Sequence, residues 1–274
     1  MTNLFNYVDR KSPIHELTGA TKFLALLLWS FAAMSTYDTR FLAVLPILSL
    51  ILFKLSKIKL KDVSFMLGFT ATFMVINNVL VYVFSPQHGV EIYGTCHVLV
   101  GEGKYALTQE QLFYHLNYIL KYLATIPIVL LFICTTNPSE FAASLNKLGV
   151  PYSVAYSVSL ALRYIPDVQR EYHNISQAQQ ARGIEMSGKA DVISRLKAAT
   201  AILIPLILSS MDKIEIVANA MELRGFGKEK KRSWYMGRSF SRWDILTIAF
   251  CVLLVIIALL LNLLNSGRFY NPFI

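Results

Sequence analysis

The residues Val63–Phe84, VSFMLGFTATFMVINNVLVYVF, run on without one charged side chain, and that run constrains this chain more than any other feature. A hydrocarbon core of roughly 30 Å takes about 20 apolar residues in a helix. A second run, Ile245–Leu264, is interrupted only by Asn262, and a third, Leu116–Thr135, contains Lys121 and Pro127. Two shorter runs, Phe23–Tyr37 and Phe41–Leu55, follow one another across a YDTR connection; tilt or flanking residues must complete their crossing. The sequence therefore predicts five transmembrane helices. The first run begins after Lys22, lacks a small-residue cleavage pattern and is followed at once by another, which does not fit a signal peptide. Of 274 residues, 55% are apolar and only 16% charged, where a soluble domain carries about 25% charged. Disorder is excluded, and an ordinary water-soluble enzyme does not fit.

The net charge of +9 is organised by position. Residues 137–242 hold 15 of the 26 lysines and arginines and 9 of the 17 acidic residues. With five spans, this polar segment shares a side with the N-terminus. That side then collects Arg10, Lys11, Lys22, Lys54, Lys57, Lys59 and Lys61 besides the 15, against Arg40, Lys104 and Arg268 on the other, with Lys121 inside a span. Lysine and arginine accumulate on the cytoplasmic side, so the N-terminus and the polar segment are expected in the cytoplasm. The basic balance is topology, and no nucleic-acid partner is called for. Three regions follow: 1–136 with four membrane helices, 137–242 in the cytoplasm, and 243–274 with the last span and tail. The fold class is an all-α integral membrane protein.

Within the polar segment, three helices can be delimited from their ends. Asn137-Pro138-Ser139-Glu140 has an N-cap asparagine, a first-turn proline and a glutamate three residues after the cap. That helix stops at Gly149, the residue type suited to a left-handed helix exit. A second opens at Pro151 and reaches Arg182 before Gly183, and a third runs from about Ala190 to Arg224 before Gly225. Pro166 and Pro205 lie inside them and are expected hinge or kink points. The two long helices repeat one another: ISQAQQARGI (175–184) aligns without gaps on VANAMELRGF (217–226), 42 residues later. A cation at a helix C-terminus gains about 0.3–1 kcal/mol from the dipole, which is the plain reading of either Arg-Gly alone. Two matched copies point further. Arginine suits a bidentate carboxylate contact, and a paired display fits an acidic partner with two-fold or pseudo-two-fold symmetry.

The stretch TTNPSEFAASLNKLGVPYSVAYSVSLALRYIPDVQREYHNISQAQQARGI, then IPLILSSMDKIEIVANAMELRGFG, and the N-terminal SPIHELTGATKFL together resemble the transmembrane T component of energy-coupling factor (ECF) transporters. These are vitamin and metal-ion importers of prokaryotes. The likeness covers most of the chain and is weakest at 85–110. It implies an L-shaped all-α protein whose coupling helices dock on two ABC-type ATPases, while their upper surface and the membrane helices hold a small substrate-binding S component. It places ATPase docking at Ala181, Arg182 and Gly183, and at Glu222, Leu223, Arg224 and Gly225. The second copy has Leu223 where the family motif has alanine, which changes the fit against one ATPase. The resemblance implies no cofactor in this chain, ATP and Mg²⁺ belonging to the ATPases, and location in the prokaryotic cell membrane. Substrate choice belongs to the S component; the central segment leans towards T proteins of thiamine-precursor systems.

Other signals are weaker. Gly183–Ala190 reads almost as a phosphate-binding loop, but ends in alanine and follows a helix instead of a strand. His15, His88, His97, His115 and His173 have no metal-ligand spacing, and His88 and His97 are expected to be solvated in an external loop. Lys121 is expected to snorkel to the external surface, and Asn77 and Asn78 to bond neighbouring helices or face the S component. Two other functions compete. Glu140-x-Ala142-Ala143 ahead of Gly149 loosely matches the cytoplasmic loop of a conventional ABC permease. An intramembrane enzyme would need a catalytic constellation that does not stand out.

Overall fold

The computed structural model describes residues 12–101, 103–184, 192–228, 234, 237–265 and 267–273. Along the chain run α1 (Pro13–Glu16), α2 (Gly19–Ser35), α3 (Thr39–Leu55), α4 (Leu60–Phe84), α5 (His88–Tyr93), β1 (Val98–Val100), β2 (Leu107–Thr108), α6 (Gln109–Thr135), α7 (Pro138–Lys147), α8 (Tyr152–Ala181), α9 (Val192–Leu223) and α10 (Arg242–Leu264). The chain divides into two compact units, Met1–Asn137 with Arg238–Ile274, and Pro138–Gly237. Arg10, Lys11, residues 185–190 of the near phosphate-binding loop and with them the expected start of the third helix at Ala190 lie outside the described residues.

In the first unit the helices begin on polar side chains placed for the purpose. Thr18, Asp38 and Thr108 cap α2, α3 and α6, and Ser241 with Asp244 forms a capping box on α10. The core between them centres on Trp29, Leu42 and Leu45, with Ala32, Ala33, Ala124 and Ala258 fully or almost fully buried. Such small residues let helix backbones approach: the Trp29 indole N–H reaches the Ala124 carbonyl at 3.0 Å.

Polar contacts fix the helix directions. Thr18 donates through its N–H (2.9 Å) and hydroxyl (3.1 Å) to Asp244, and at the other end the Asn262 amide donates to the Ser35 carbonyl at 3.0 Å. Hence α2 and α10 are parallel. Lys22 Nζ donates to the Thr135 carbonyl at 2.9 Å and Lys121 Nζ to the Met34 carbonyl at 3.3 Å, so α6 runs against α2. The Thr39–Asn117 (2.7 Å) and Ser49–Leu123 (3.3 Å) bonds set α3 parallel to α6. His115–Asn78 (3.0 Å) and Gln111–Ser85 (3.3 Å) set α4 against it. Five helices thus alternate in direction along the chain, and the chain leaves this bundle after α6 and re-enters at α10 on the same end.

Three of the five predicted spans are long and apolar enough to cross a membrane: Val63–Phe84, Gln109–Thr135 and Arg242–Leu264. The other two, α2 and α3, have 17 residues each, about 25 Å at 1.5 Å per residue. The two polar clamps nevertheless stretch α2 along α10 from Asp244 to Asn262, over the same thickness as most of the most apolar helix.

The far end of the bundle departs from expectation. A short antiparallel ribbon, β1 with β2, stands where a plain loop is expected. Gly89 is obligatory beneath it, because a Cβ there would lie 2.6 Å from the Glu110 carbonyl oxygen and 2.7 Å from the Gln111 backbone. His97 is not merely solvated: its Nδ1 lies 2.6 Å from the fully buried Glu110 carboxylate, and its ring stacks on Phe273. His88 is half-exposed but packs edge-on to Tyr114. Nor does Lys121 snorkel. It is 5% exposed, with Nζ 3.3 Å from the Tyr37 ring centroid, because Tyr37 and the Met34 carbonyl satisfy the ammonium inside the protein. Asn78 bonds His115 of α6 and the Met74 carbonyl, as one of its two expected roles required; Asn77 is half-exposed.

In the second unit α7 packs on α8, and α8 pairs antiparallel with α9. Tyr156 lies 4.8 Å from Phe226 between ring centroids, Glu171 bonds Ser209 and Lys213, and Gln179 donates to the Ala201 carbonyl at 3.0 Å. Pro166 and Pro205 sit within unbroken helices. Glu140, Ala142 and Ala143, the residues matched to a permease loop, are buried in α7 instead of forming an exposed loop.

Candidate functional site

The two Arg-Gly copies end their helices in the same way, bond for bond. At the end of α8, the N–H groups of Arg182, Gly183 and Ile184 donate to the carbonyls of Ala178 (3.2 Å), Gln180 (2.9 Å) and Gln179 (3.1 Å). At the end of α9, those of Arg224, Gly225 and Phe226 donate to Ala220 (3.3 Å), Glu222 (2.8 Å) and Met221 (2.9 Å). Both are Schellman ends, in which the glycine takes the left-handed conformation and the next N–H reaches back five residues. Gly183 has φ +85° and Gly225 φ +68°, values that a side chain disfavours. Gly149, at φ +99°, closes α7 similarly. The pattern by itself is therefore a stop signal; the arginines distinguish these two uses of it from the one at Gly149.

Ala181, Arg182, Gly183, Glu222, Leu223 and Arg224 are exposed, Leu223 at 89%, and Gly225 is half-exposed. The residues expected to dock form two clusters, at opposite ends of the antiparallel pair. The contact at Glu171 and Ser209 sets Arg224 across from about residue 156, so the tips stand roughly 40 Å apart at 1.5 Å per residue.

Midway between the tips lies a contact absent from the sequence reading. Glu171 accepts from Lys213 and Ser209, and their hydrogen bonds hold its carboxyl below the usual carboxylate range. Lys213 is the residue 42 positions after Glu171, its equivalent in the repeat. Equivalent residues touch each other only on a two-fold axis. The signal was present as opposite charges at matching repeat positions, but it acquires meaning only once the helices pair. The two tips are thus related by a local pseudo-two-fold.

The surroundings of the tips are less symmetric. Beside Arg224, a cavity of about 400 Å³ is lined by Tyr156, Ser159, Arg163, Tyr164 and Phe226 among others. It shares lining with an apolar cavity of about 560 Å³ between Leu160, Val168, Ile214 and Met221. Along α9, Leu203, Ile204, Ile207, Leu208, Met211 and Ile214 are each at least half exposed, an apolar face too broad for scattered surface residues.

Alternating apolar helices, tied together by buried polar clamps and joined to a pair of amphipathic helices with basic tips, define a polytopic all-α membrane protein. Family comparison sharpens this. Residues 10–234 match the family model described as CbiQ, cobalt transport protein, and the chain belongs to that family. It is also similar to proteins named energy-coupling factor transporter transmembrane protein EcfT: 27% identical over 252 residues to that of Streptococcus thermophilus, covering 88% of this chain and 91% of the relative. The relative from Macrococcus caseolyticus is 26% identical over 276 residues, covering 96% and 98%.

Proposed function

We propose that this chain is the transmembrane scaffold of an ECF-type importer, transmitting work from two ABC-type ATPases to a small membrane-embedded S component that binds the vitamin. The observation that carries the reading is the pair of arginine-tipped Schellman ends, related by a local two-fold at Glu171–Lys213 and about 40 Å apart. A pair of like ATPases would offer two equivalent receptors, and acidic ones would suit the two arginines. Gly183 and Gly225 turn the chain abruptly away directly after each arginine. The names of the relatives support the transporter class.

In this reading the chain is not catalytic. ATP and Mg²⁺ are bound by the partners, and substrate choice lies with the S component, against which the exposed apolar face of α9 and the membrane helices are set. The N-terminus and α7–α9 lie in the cytoplasm of a prokaryotic cell, on the side where lysine and arginine accumulate. Closure of the ATPases on nucleotide displaces the two tips relative to each other. A helix of 30 or 32 residues carries that displacement along its length, and the groove holding the S component changes shape. Only a difference in contacts between two states is required of this chain.

The test is the R182Q/R224Q double variant in the complete complex. It is expected to lose ATPase co-purification and ATP-driven uptake while remaining inserted and folded, each single variant being milder. Undiminished uptake in the double variant would exclude these residues as docks.

A further inference from the structure

Within the membrane bundle, the packing of α2, α3, α6 and α10 leaves a crevice of about 260 Å³. Trp29, Ile128 and Cys251 form its buried floor, and Leu246 and Phe250 its exposed rim. The indole and the hydroxyl of its lining are already spent. Trp29 donates to the Ala124 carbonyl at 3.0 Å, and Thr247 to the Trp243 carbonyl at 2.8 Å. A polar occupant would lose its own hydrogen bonds there, so the crevice suits an apolar chain. Open at its rim, it fills from the surrounding hydrocarbon, because a void forfeits dispersion contacts along its walls. The mouth has the opposite character. Arg242 and Trp243 are exposed and stand one helical turn before Leu246 and Thr247, on the same stripe of α10. Tryptophan at the end of a span sits at headgroup level. Phe250, eight residues after Arg242, lies about 12 Å deeper at 1.5 Å per residue. The nearby carboxylate of Asp244 is fully buried and bound by Thr18.

We propose that one anionic phospholipid binds here, in the leaflet at the end where α2 and α10 begin, with its phosphate at Arg242 and one acyl chain in the crevice. The occupant follows from charge complementarity and depth together. An exposed guanidinium offers a bidentate contact to phosphate oxygens, and the apolar slot one to two turns further in takes the chain attached to them. A choline headgroup would set a second cation beside the guanidinium, so phosphatidylglycerol is favoured over phosphatidylcholine. Lysine at 242 would supply charge without the fork. The bound lipid bridges four helices near the end at which the chain leaves the bundle after α6 and re-enters at α10. Nothing in this depends on the ATPase docks.

The experiment equilibrates the full chain in nanodiscs of equal phosphatidylglycerol and phosphatidylcholine, releases it into mild detergent and counts retained lipid by native mass spectrometry. The parent is expected to keep one phosphatidylglycerol in preference to phosphatidylcholine. Losing a charge-assisted hydrogen bond weakens binding by about tenfold or more, and R242Q is expected to show this, with R242K between it and the parent. A25F, which fills the crevice from its α2 wall, is expected to abolish retention of either lipid. K61Q removes an exposed cation at the start of α4, outside the crevice lining, and is expected to change nothing. Equal retention of the two lipids by the parent, R242Q within twofold of it, or an equal loss in K61Q overturns the proposal. So does undiminished retention in A25F. Where A25F does not elute as a monodisperse species, R242Q and R242K decide, because that side chain is exposed and outside the core. Release of the lipid on assembly of the parent into the complete complex would put a protein helix over the crevice and also overturn it.

Discussion

Replacing Gly183 or Gly225 by alanine separates the geometry of the tips from their charge. Both glycines are in the left-handed region, at φ +85° and +68°, where a side chain costs about 1–2 kcal/mol. No atom lies within 4 Å of a Cβ built on Gly183, so at that position the cost is conformational and no clash adds to it. In the free chain, G183A relieves the strain by unwinding the last turn of α8, giving up the 3.1 Å bond from Ile184 to Gln179. Docking must re-form that end to present Arg182, and the strain then appears in the affinity. One to two kcal/mol corresponds to about a 5- to 30-fold loss. Asparagine tolerates the left-handed region better than alanine, so the expected order of affinity is glycine, then asparagine, then alanine, at either position. The assay is titration of the ATPase pair on the nanodisc-embedded chain, with thermal unfolding as the control for global damage. Wild-type affinity in G183A/G225A, alongside a loss in R182Q/R224Q, would refute the claim that the rigid helix exit presents the arginine.

Two further outcomes are expected. Cys96 is exposed while Cys134 and Cys251 are buried, so a membrane-impermeant maleimide applied to intact cells should label Cys96, whereas cysteines introduced at 182 and 224 should react only after permeabilisation; the reverse pattern would invert the orientation. Lys121→Met should keep stability within about 1 kcal/mol and leave transport intact, since well-packed apolar replacements of buried charges are often neutral; a folded K121M that no longer transports would give the ammonium a functional role instead.

The membrane bundle was legible where the physics is one-dimensional. Unbroken apolar length marks α4, α6 and α10, and proline, asparagine and glycine punctuation marks the helices of the second unit to within a few residues. Repetition exposed Arg182 and Arg224 as a pair. What escaped depends on partners remote in sequence. Lys121 looks like any cation near a span end until Tyr37 and the Met34 carbonyl arrive from the α2–α3 corner. His97 looks merely solvated until Glu110 bonds it and the tail residue Phe273 stacks on it, its other side remaining in solvent. The cavity beside Arg224 carries no local signal at all, because Arg163 and Arg224 are brought to it only by antiparallel pairing over some sixty residues of chain.

That pairing also explains how two remote tips can act as one device. The polar contacts of α8 with α9 are concentrated at Glu171 with Lys213 and Ser209, near the two-fold, and at Gln179 with Ala201. Towards the Arg224 end the helices are held by aromatic contact between Tyr152, Tyr156 and Phe226, and two cavities, one of them apolar, open beside them. Hydrogen bonds impose direction and register, whereas aromatic and apolar contacts are cheap to slide. In the proposed coupling a pull on Arg224 would meet less local resistance than a pull on Arg182, and the Glu171 contact would be the pivot about which the two helices turn. Weakening the pivot, with E171Q, should uncouple ATP hydrolysis from uptake while leaving both arginine docks and the affinity for the ATPases in place. Uptake per ATP equal to that of the parent would show that the pair moves as a rigid block.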